Sequence, residues 1–91
     1  MVRLVFARAF QRHVECPEAV VAGATIADAL AAYFDQNPLV RRYVLDESGA
    51  VRTHVAVFCN DELIVDRRHQ SDPVADGDIV HVFQALSGGS T

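Results

Sequence analysis

Side chains that could do chemistry are few and widely spaced in these 91 residues. His13 and Cys16 have the spacing of half a zinc site, but no second half-site follows at zinc-finger distance, so no metal is expected. On a strand, alternation would also place the two on opposite faces. The other cysteine is Cys59. Both cysteines lie in apolar segments and read as buried thiols acting as small hydrophobes, and a reducing compartment leaves no need for a disulfide. Of the remaining histidines, His54 and His81 are expected on sheet surfaces and His69 in a loop. Asp76 and Asp78 could be paired carboxylates for acid–base work, yet Gly77 between them makes a turn the better reading, and no histidine or nucleophile neighbours them. Arg67-Arg68-His69 and Arg41-Arg42 read as solvated basic runs, with docking to an acidic partner as their other use. No serine, histidine and aspartate set suggests a hydrolase, and no catalytic residue is expected. There remains the end of the chain, Ser87-Gly88-Gly89-Ser90-Thr91, whose small residues and paired glycines predict a mobile tail.

The totals narrow the function classes. A chain of this length is expected to form one domain, and 51% hydrophobic residues suffice for one core. Net charge is −4 with no Trp, which disfavours nucleic acid because phosphate repels such a chain, and suits protein partners with basic surfaces. No apolar run approaches the roughly 20 residues that span a bilayer, and Met1 leads directly into an alternating segment with no signal-peptide pattern. No membrane contact and a cytoplasmic location are expected.

Elements follow from periodicity. Val2 to Phe6 alternates as a half-buried strand, and His13 to Cys16 reads as a second strand ended by Pro17. Gly23 marks a turn. Thr25 to Asn37 is the main helix: Thr25 caps it, Asp28 stands at the capping-box position, Ile26, Leu30 and Tyr33 or Phe34 share a face, and Asn37-Pro38 stops it. Leu39 to Leu45 fits either a short helical turn or an irregular edge. Asp46 to Gly49 is a turn. Val51 to Cys59 is a strand with Val55, Val57 and Cys59 on one face and Ala56 and Phe58 on the other, which suits a central position. Asn60-Asp61 fits a tight hairpin turn, from which Glu62 to Val65 returns. Asp66 to Pro73 is a loop, Asp76-Gly77-Asp78 a turn, and Ile79 to Phe83 the last strand. Phe58 and Phe83 are candidates for either core packing or an exposed partner-binding patch.

Two stretches resemble the ThiS/MoaD family of ubiquitin-like sulfur carriers. One is Ala75-Asp76-Gly77-Asp78-Ile79-Val80-His81-Val82-Phe83 running into Leu86-Ser87-Gly88-Gly89; the other is Thr25-Ile26-Ala27-Asp28-Ala29-Leu30. The Val57-Phe58-Cys59-Asn60-Asp61-Glu62-Leu63 hairpin is similar to that family's valine-asparagine-glycine hairpin. The resemblance implies an α+β, β-grasp fold: a mixed sheet curled around one main helix over residues 1–86, with 87–91 as a Gly-Gly tail carrying a two-residue extension. It implies a protein co-substrate and not an enzyme, with no bound cofactor. The terminal glycine carboxylate, here Gly89, is adenylated by a ubiquitin-activating-type adenylyltransferase that uses ATP. A sulfur donor, a sulfurtransferase or cysteine desulfurase, converts it to a thiocarboxylate, and a sulfur-accepting biosynthetic enzyme takes the sulfur into a cofactor, cysteine or a thio-metabolite.

Elementary chemistry agrees with that role for the tail. Glycines have no Cβ to obstruct entry into a narrow active site. The seven residues after Gln84 extend at most about 23 Å. A carboxylate is a poor electrophile, so it needs activation before sulfur attacks. The family pattern ends at the second glycine, whereas Ser90-Thr91 here locks Gly89 in a peptide bond. Either a peptidase, by resemblance a JAMM-type zinc enzyme, removes the extension, or the chain is no carrier; the first is the preferred reading. The alternatives are the small subunit of molybdopterin synthase, or a ubiquitin-like modifier or interaction module. With no lysine, the chain could not build lysine-linked chains on itself. A β-grasp ferredoxin is ruled out, since its cluster needs four cysteines.

Overall fold

The computed structural model describes residues 1–84; Ser87, Gly88, Gly89, Ser90 and Thr91 lie outside the described residues. Five strands form one mixed sheet in the order β2-β1-β5-β3-β4: β1 is Val2–Phe6, β2 Ala19–Val21, β3 Val55–Cys59, β4 Glu62–Leu63 and β5 Ile79–Gln84. The first and the last described strands, β1 and β5, lie side by side within the sheet. β1 runs parallel to β5 with Phe6 beside Val82, and β3 flanks β5 antiparallel with Val55 beside Gln84.

Strand alternation builds the core on one face. Val2, Leu4 and Phe6 of β1, Val80 and Val82 of β5, and Val55 and Val57 of β3 are all buried. Ile26, Ala29, Leu30, Tyr33 and Phe34 of the helix α2 (Ile26–Gln36) join the same cluster, the stripe that helical spacing predicts. Tyr33 is fully buried against Phe6, with ring centroids 4.8 Å apart, and its hydroxyl donates to the Pro17 carbonyl at 2.7 Å. The expected helix, its caps and the β-grasp arrangement are therefore present. Thr25 Oγ1 accepts the Asp28 N–H at 3.1 Å, while Asp28 turns back to the Ala24 N–H and not to Thr25, so the box closes one residue early. Gly23 sits where a Cβ would come within 2.8 Å of the Ala29 nitrogen, so its lack of a side chain lets the chain pass close to α2.

Several boundaries differ from the expectation. His13 to Cys16 is not a strand. After β1 the chain makes one helical turn, α1 (Arg8–Gln11), which buries Phe10 edge-on against Phe6 at 5.7 Å. Cys16 is buried without joining a ladder, since Gln11 Nε2 donates to its carbonyl and Pro17 has no N–H to continue a pairing. The second strand forms later, where Ala19, Val20 and Val21 pair with β1. Leu39 to Leu45 resolves as helical: a 3₁₀ turn at Pro38–Val40 leads into α3 (Arg41–Val44), which buries Val40 and Val44. Val51 makes only a single bridge to Leu45, and the chain turns at Thr53-His54 before β3 begins at Val55. His54 therefore lies exposed in that turn and not on the sheet. β4 is confined to Glu62–Leu63; Ile64 beyond it donates its N–H to the Val57 carbonyl and is buried in the core.

Candidate functional site

Gln84, at the end of β5, is the last described residue before the Ser87-Gly88-Gly89 stretch, so the surface around it is the region of interest. The face of the sheet away from α2 carries the outward residues of each strand. Register places Val5, His81, Phe58 and Leu63 in one row across β1, β5, β3 and β4, and sets Ala56 beside Phe83. Phe83 packs edge-on against Phe58 at 5.5 Å and stacks on His81 at 5.8 Å. Phe83 nevertheless remains 41% exposed and Leu63 52% exposed, so the cluster is an open aromatic patch with its own internal order. Of the two uses left open for Phe58 and Phe83, both belong to this outer face and neither to the core. Leu63, Val5 and Ile79 join them there; the odd positions of the Val2 to Phe6 and Ile79 to Phe83 alternations carried that signal.

At the opposite end of β5 the two sequence signatures meet. Asn60 and Asp61 take φ of +56° and +97°, the left-handed pair expected of the hairpin, and Gly77 takes +89° in the turn before β5. Asp78 accepts the Ala75 N–H at 2.8 Å and the Asn60 amide at 2.8 Å. These bonds hold its carboxyl below the usual range, the Ala75 contact contributing most. Asp76 pairs instead with the N-terminal amine, which lowers its pKa too. The two carboxylates are engaged in holding the turn and make no acid–base pair.

The thiols are equally committed. Burial raises the pKa of Cys16. Burial, and next the Asp78 carboxylate 3.5 Å from its sulfur, push Cys59 up to about 11. Cys59 is half-buried where full burial was expected. His13 stacks on Tyr43 at 6.3 Å, away from the buried Cys16, and no cluster of three metal-ligating side chains exists among the described residues. Within the Arg67-Arg68-His69 run, Arg67 is tied to the Val51 and Arg52 carbonyls, while Arg68 and His69 are exposed in the loop. No described helix is long and apolar enough to cross a membrane.

A profile of the ThiS family matches residues 4–89. Searched by sequence against curated proteins, the chain gave no match. By structure it is similar to small archaeal modifier protein 1 of Haloferax volcanii, with 24% identity, a TM-score of 0.75, and coverage of 97% of this chain and 98% of that one. It is similar to a chain of the BexX/CysO complex of Amycolatopsis orientalis at 18% identity and a TM-score of 0.77, covering 98% and 100% of the two chains. CysO of Mycobacterium tuberculosis gives 19% identity, a TM-score of 0.76, and coverage of 94% and 100%. At these identities the structural likeness establishes the fold.

Proposed function

The chain belongs to the ThiS family, and from that premise we propose that it is a ubiquitin-like sulfur carrier working through Gly89. Removal of Ser90-Thr91 by a JAMM-type zinc peptidase frees the Gly89 carboxylate. A ubiquitin-activating-type adenylyltransferase joins that carboxylate to AMP, releasing pyrophosphate from ATP. A persulfide carried by a sulfurtransferase or cysteine desulfurase then attacks the acyl carbon and AMP leaves; a second thiol of the donor cleaves the resulting acyl disulfide, so that a thiocarboxylate remains and the donor is left with a disulfide. A biosynthetic enzyme receives the sulfur. The chain is a co-substrate in every step.

One observation carries this reading: the family match reaches through Gly89, and β5, the central strand, ends five residues before it beside the open Phe58–Phe83 patch. Five extended residues reach about 17 Å, enough to take a terminus inside an enzyme while the sheet face rests on its surface. Side chains that could compete for sulfur are kept protonated, as the raised pKa values of both cysteines indicate.

Intact-protein mass spectrometry on chain purified from its host tests the proposal. Loss of the Ser90-Thr91 mass, with a fraction gaining the oxygen-to-sulfur difference, supports it. A full-length mass that survives incubation with host extract, ATP and a sulfur donor overturns it. The likeness to a small archaeal modifier protein favours one second reading, attachment to other proteins; a Gly89-to-lysine isopeptide in digested host protein would establish that use.

A further inference from the structure

Charge is distributed along β5 as a dipole, with the positive end at the root of the tail. Beyond Phe6, which sits beside Val82, the Ala7 N–H donates to the Val82 carbonyl and Arg8 opens the α1 turn that packs on β5. Arg12 closes that turn. On the other side, Val55 pairs with Gln84, and Arg52 stands just before it across a tight turn. The Arg52 Nε donates to the Arg42 carbonyl at 2.6 Å, the Arg42 guanidinium lies 5.8 Å from the Tyr43 ring centre, and His13 stacks on the same ring. Arg8, Arg12, Arg42 and His13 are exposed, and Arg52 is half-buried. Among the described residues none of these arginines makes a salt bridge. Asp46 and Glu47 lie near Arg52, but Asp46 spends its carboxylate on Ser48 and Ala50; exposed Asp35 stands in the last turn of α2, two residues beyond the Tyr33 that packs on Phe6. Around the far end of β5 stand Asp61, Glu62, Asp72, Asp76 and Asp78, where the cations present, Arg3 and the N-terminal amine, are already paired with Glu18 and Asp76.

We propose that Arg8, Arg12, Arg42 and Arg52 form a docking collar around Gln84, fitted to an acidic rim on the adenylyltransferase that admits the tail. This rests on the carrier reading given above. Unpaired arginines keep their electrostatic attraction available for a partner. Their position sets what they act on: Gly89 is five residues past Gln84, a reach of at most about 17 Å, so the collar meets the outside of the partner's channel and not the nucleotide within it. A protein rim suits this surface better than a nucleic acid, because the chain is net −4 and its opposite end would repel a long polyanion. The collar therefore governs encounter and affinity, leaving the chemistry of activation untouched.

Affinity of the full chain for the purified host adenylyltransferase, measured at low and at high salt, tests the collar. Three chains are compared: wild type, the triple reversal Arg8→Glu/Arg12→Glu/Arg42→Glu, and Glu62→Lys at the acidic end. The reversal should raise Kd by about tenfold or more at low salt, and the difference should shrink at high salt as screening sets in. Glu62→Lys should leave Kd within about twofold. Equal Kd for wild type and reversal, or a wild-type Kd indifferent to salt, overturns the collar, as does wild-type binding of labelled single-stranded DNA that the reversal abolishes. If the reversal lowers the melting temperature, the neutral set Arg8→Gln/Arg12→Gln/Arg42→Gln replaces it, with a smaller rise in Kd expected. Pyrophosphate release by the host-processed chain separates the two ideas. Salt-sensitive binding without release overturns the carrier reading alone, whereas no wild-type binding overturns both.

Discussion

Asn60 and Asp78 hold each other across the end of the sheet: the Asn60 amide donates to Asp78 Oδ1 at 2.8 Å, while its own oxygen accepts the Ile79 N–H at 3.0 Å. The pair fastens the β3–β4 hairpin to the turn that launches β5, and so sets the strand from which the tail departs. Asn60 also sits at φ +56°, a conformation asparagine tolerates better than most residues. Asn60→Ala should lose both bonds and strain the backbone, at a cost of about 1–2 kcal/mol for the left-handed conformation alone. Asn60→Gly should recover the backbone part only. Urea unfolding of the three chains checks this; equal stability of the alanine and glycine variants would show that the conformation contributes nothing.

Acid should loosen the loop after β4 first. The Asp66 carboxylate accepts the Ser71 hydroxyl, then the His69 and Ser71 N–H groups, and is lowered to about 2. Asp72 is lowered as well, chiefly by the Val65 and Asp66 N–H groups. Because both pKa values are lower in the folded chain than in the unfolded one, their contribution is full above the ordinary aspartate value. It is lost as pH falls from about 4 toward about 2. Melting temperature followed across that range should drop steeply for the wild type and less steeply for Asp66→Asn. A parallel drop in both would remove Asp66 from the account.

Native cysteines should react slowly. With Cys59 near 11, about one thiol in a thousand is ionised at pH 8, and burial shields Cys16 further. Iodoacetamide at that pH should label both only after denaturant is added. Cys59→Ala should still acquire sulfur on the tail, which the mass of a C-terminal peptide would reveal. Loss of sulfur loading in that variant, with its fold intact, would assign the thiol a part in transfer.

Local chemistry explains which features were legible in the sequence. The α2 helix was, because Thr25, Asp28, Asn37 and Pro38 act on their own neighbours and the stripe from Ile26 to Phe34 has one period. Asn60-Asp61 and Gly77 were, because left-handed turns restrict residue type. The stretch from Arg8 to Val21 was not. Val14 and Cys16 alternate like a strand, but the outcome turned on Phe10 finding Phe6 and on Pro17 withholding an N–H, and the first of these is a tertiary contact. The outer patch was half legible: alternation put Phe58 and Phe83 on defined faces, but only the strand order brings β3 beside β5. The arginine collar was hidden for the same reason, since Arg8, Arg42 and Arg52 are gathered by the parallel pairing of β1 with β5 and by the Arg52–Arg42 bond.

Adjacent residues of β5 should give opposite responses to the same substitution. Phe83 points away from the core and is 41% exposed, whereas Val82 is fully buried. Phe83→Asp removes the edge-on contact with Phe58 and puts a charge in the centre of the open patch, at little cost to the fold. If the patch seats the chain on its adenylating partner, the concentration of carrier giving half-maximal pyrophosphate release should rise by about tenfold or more, with the maximal rate nearly unchanged, as expected when a centrally placed aromatic is lost. Val82→Asp would instead bury a carboxylate among Leu4, Val57 and Val80 with nothing to pair it. That chain should fail to fold, as the loss of its cooperative melting transition would show. Normal half-saturation for Phe83→Asp would move docking off this face and leave the tail and the arginines at its root as the contact.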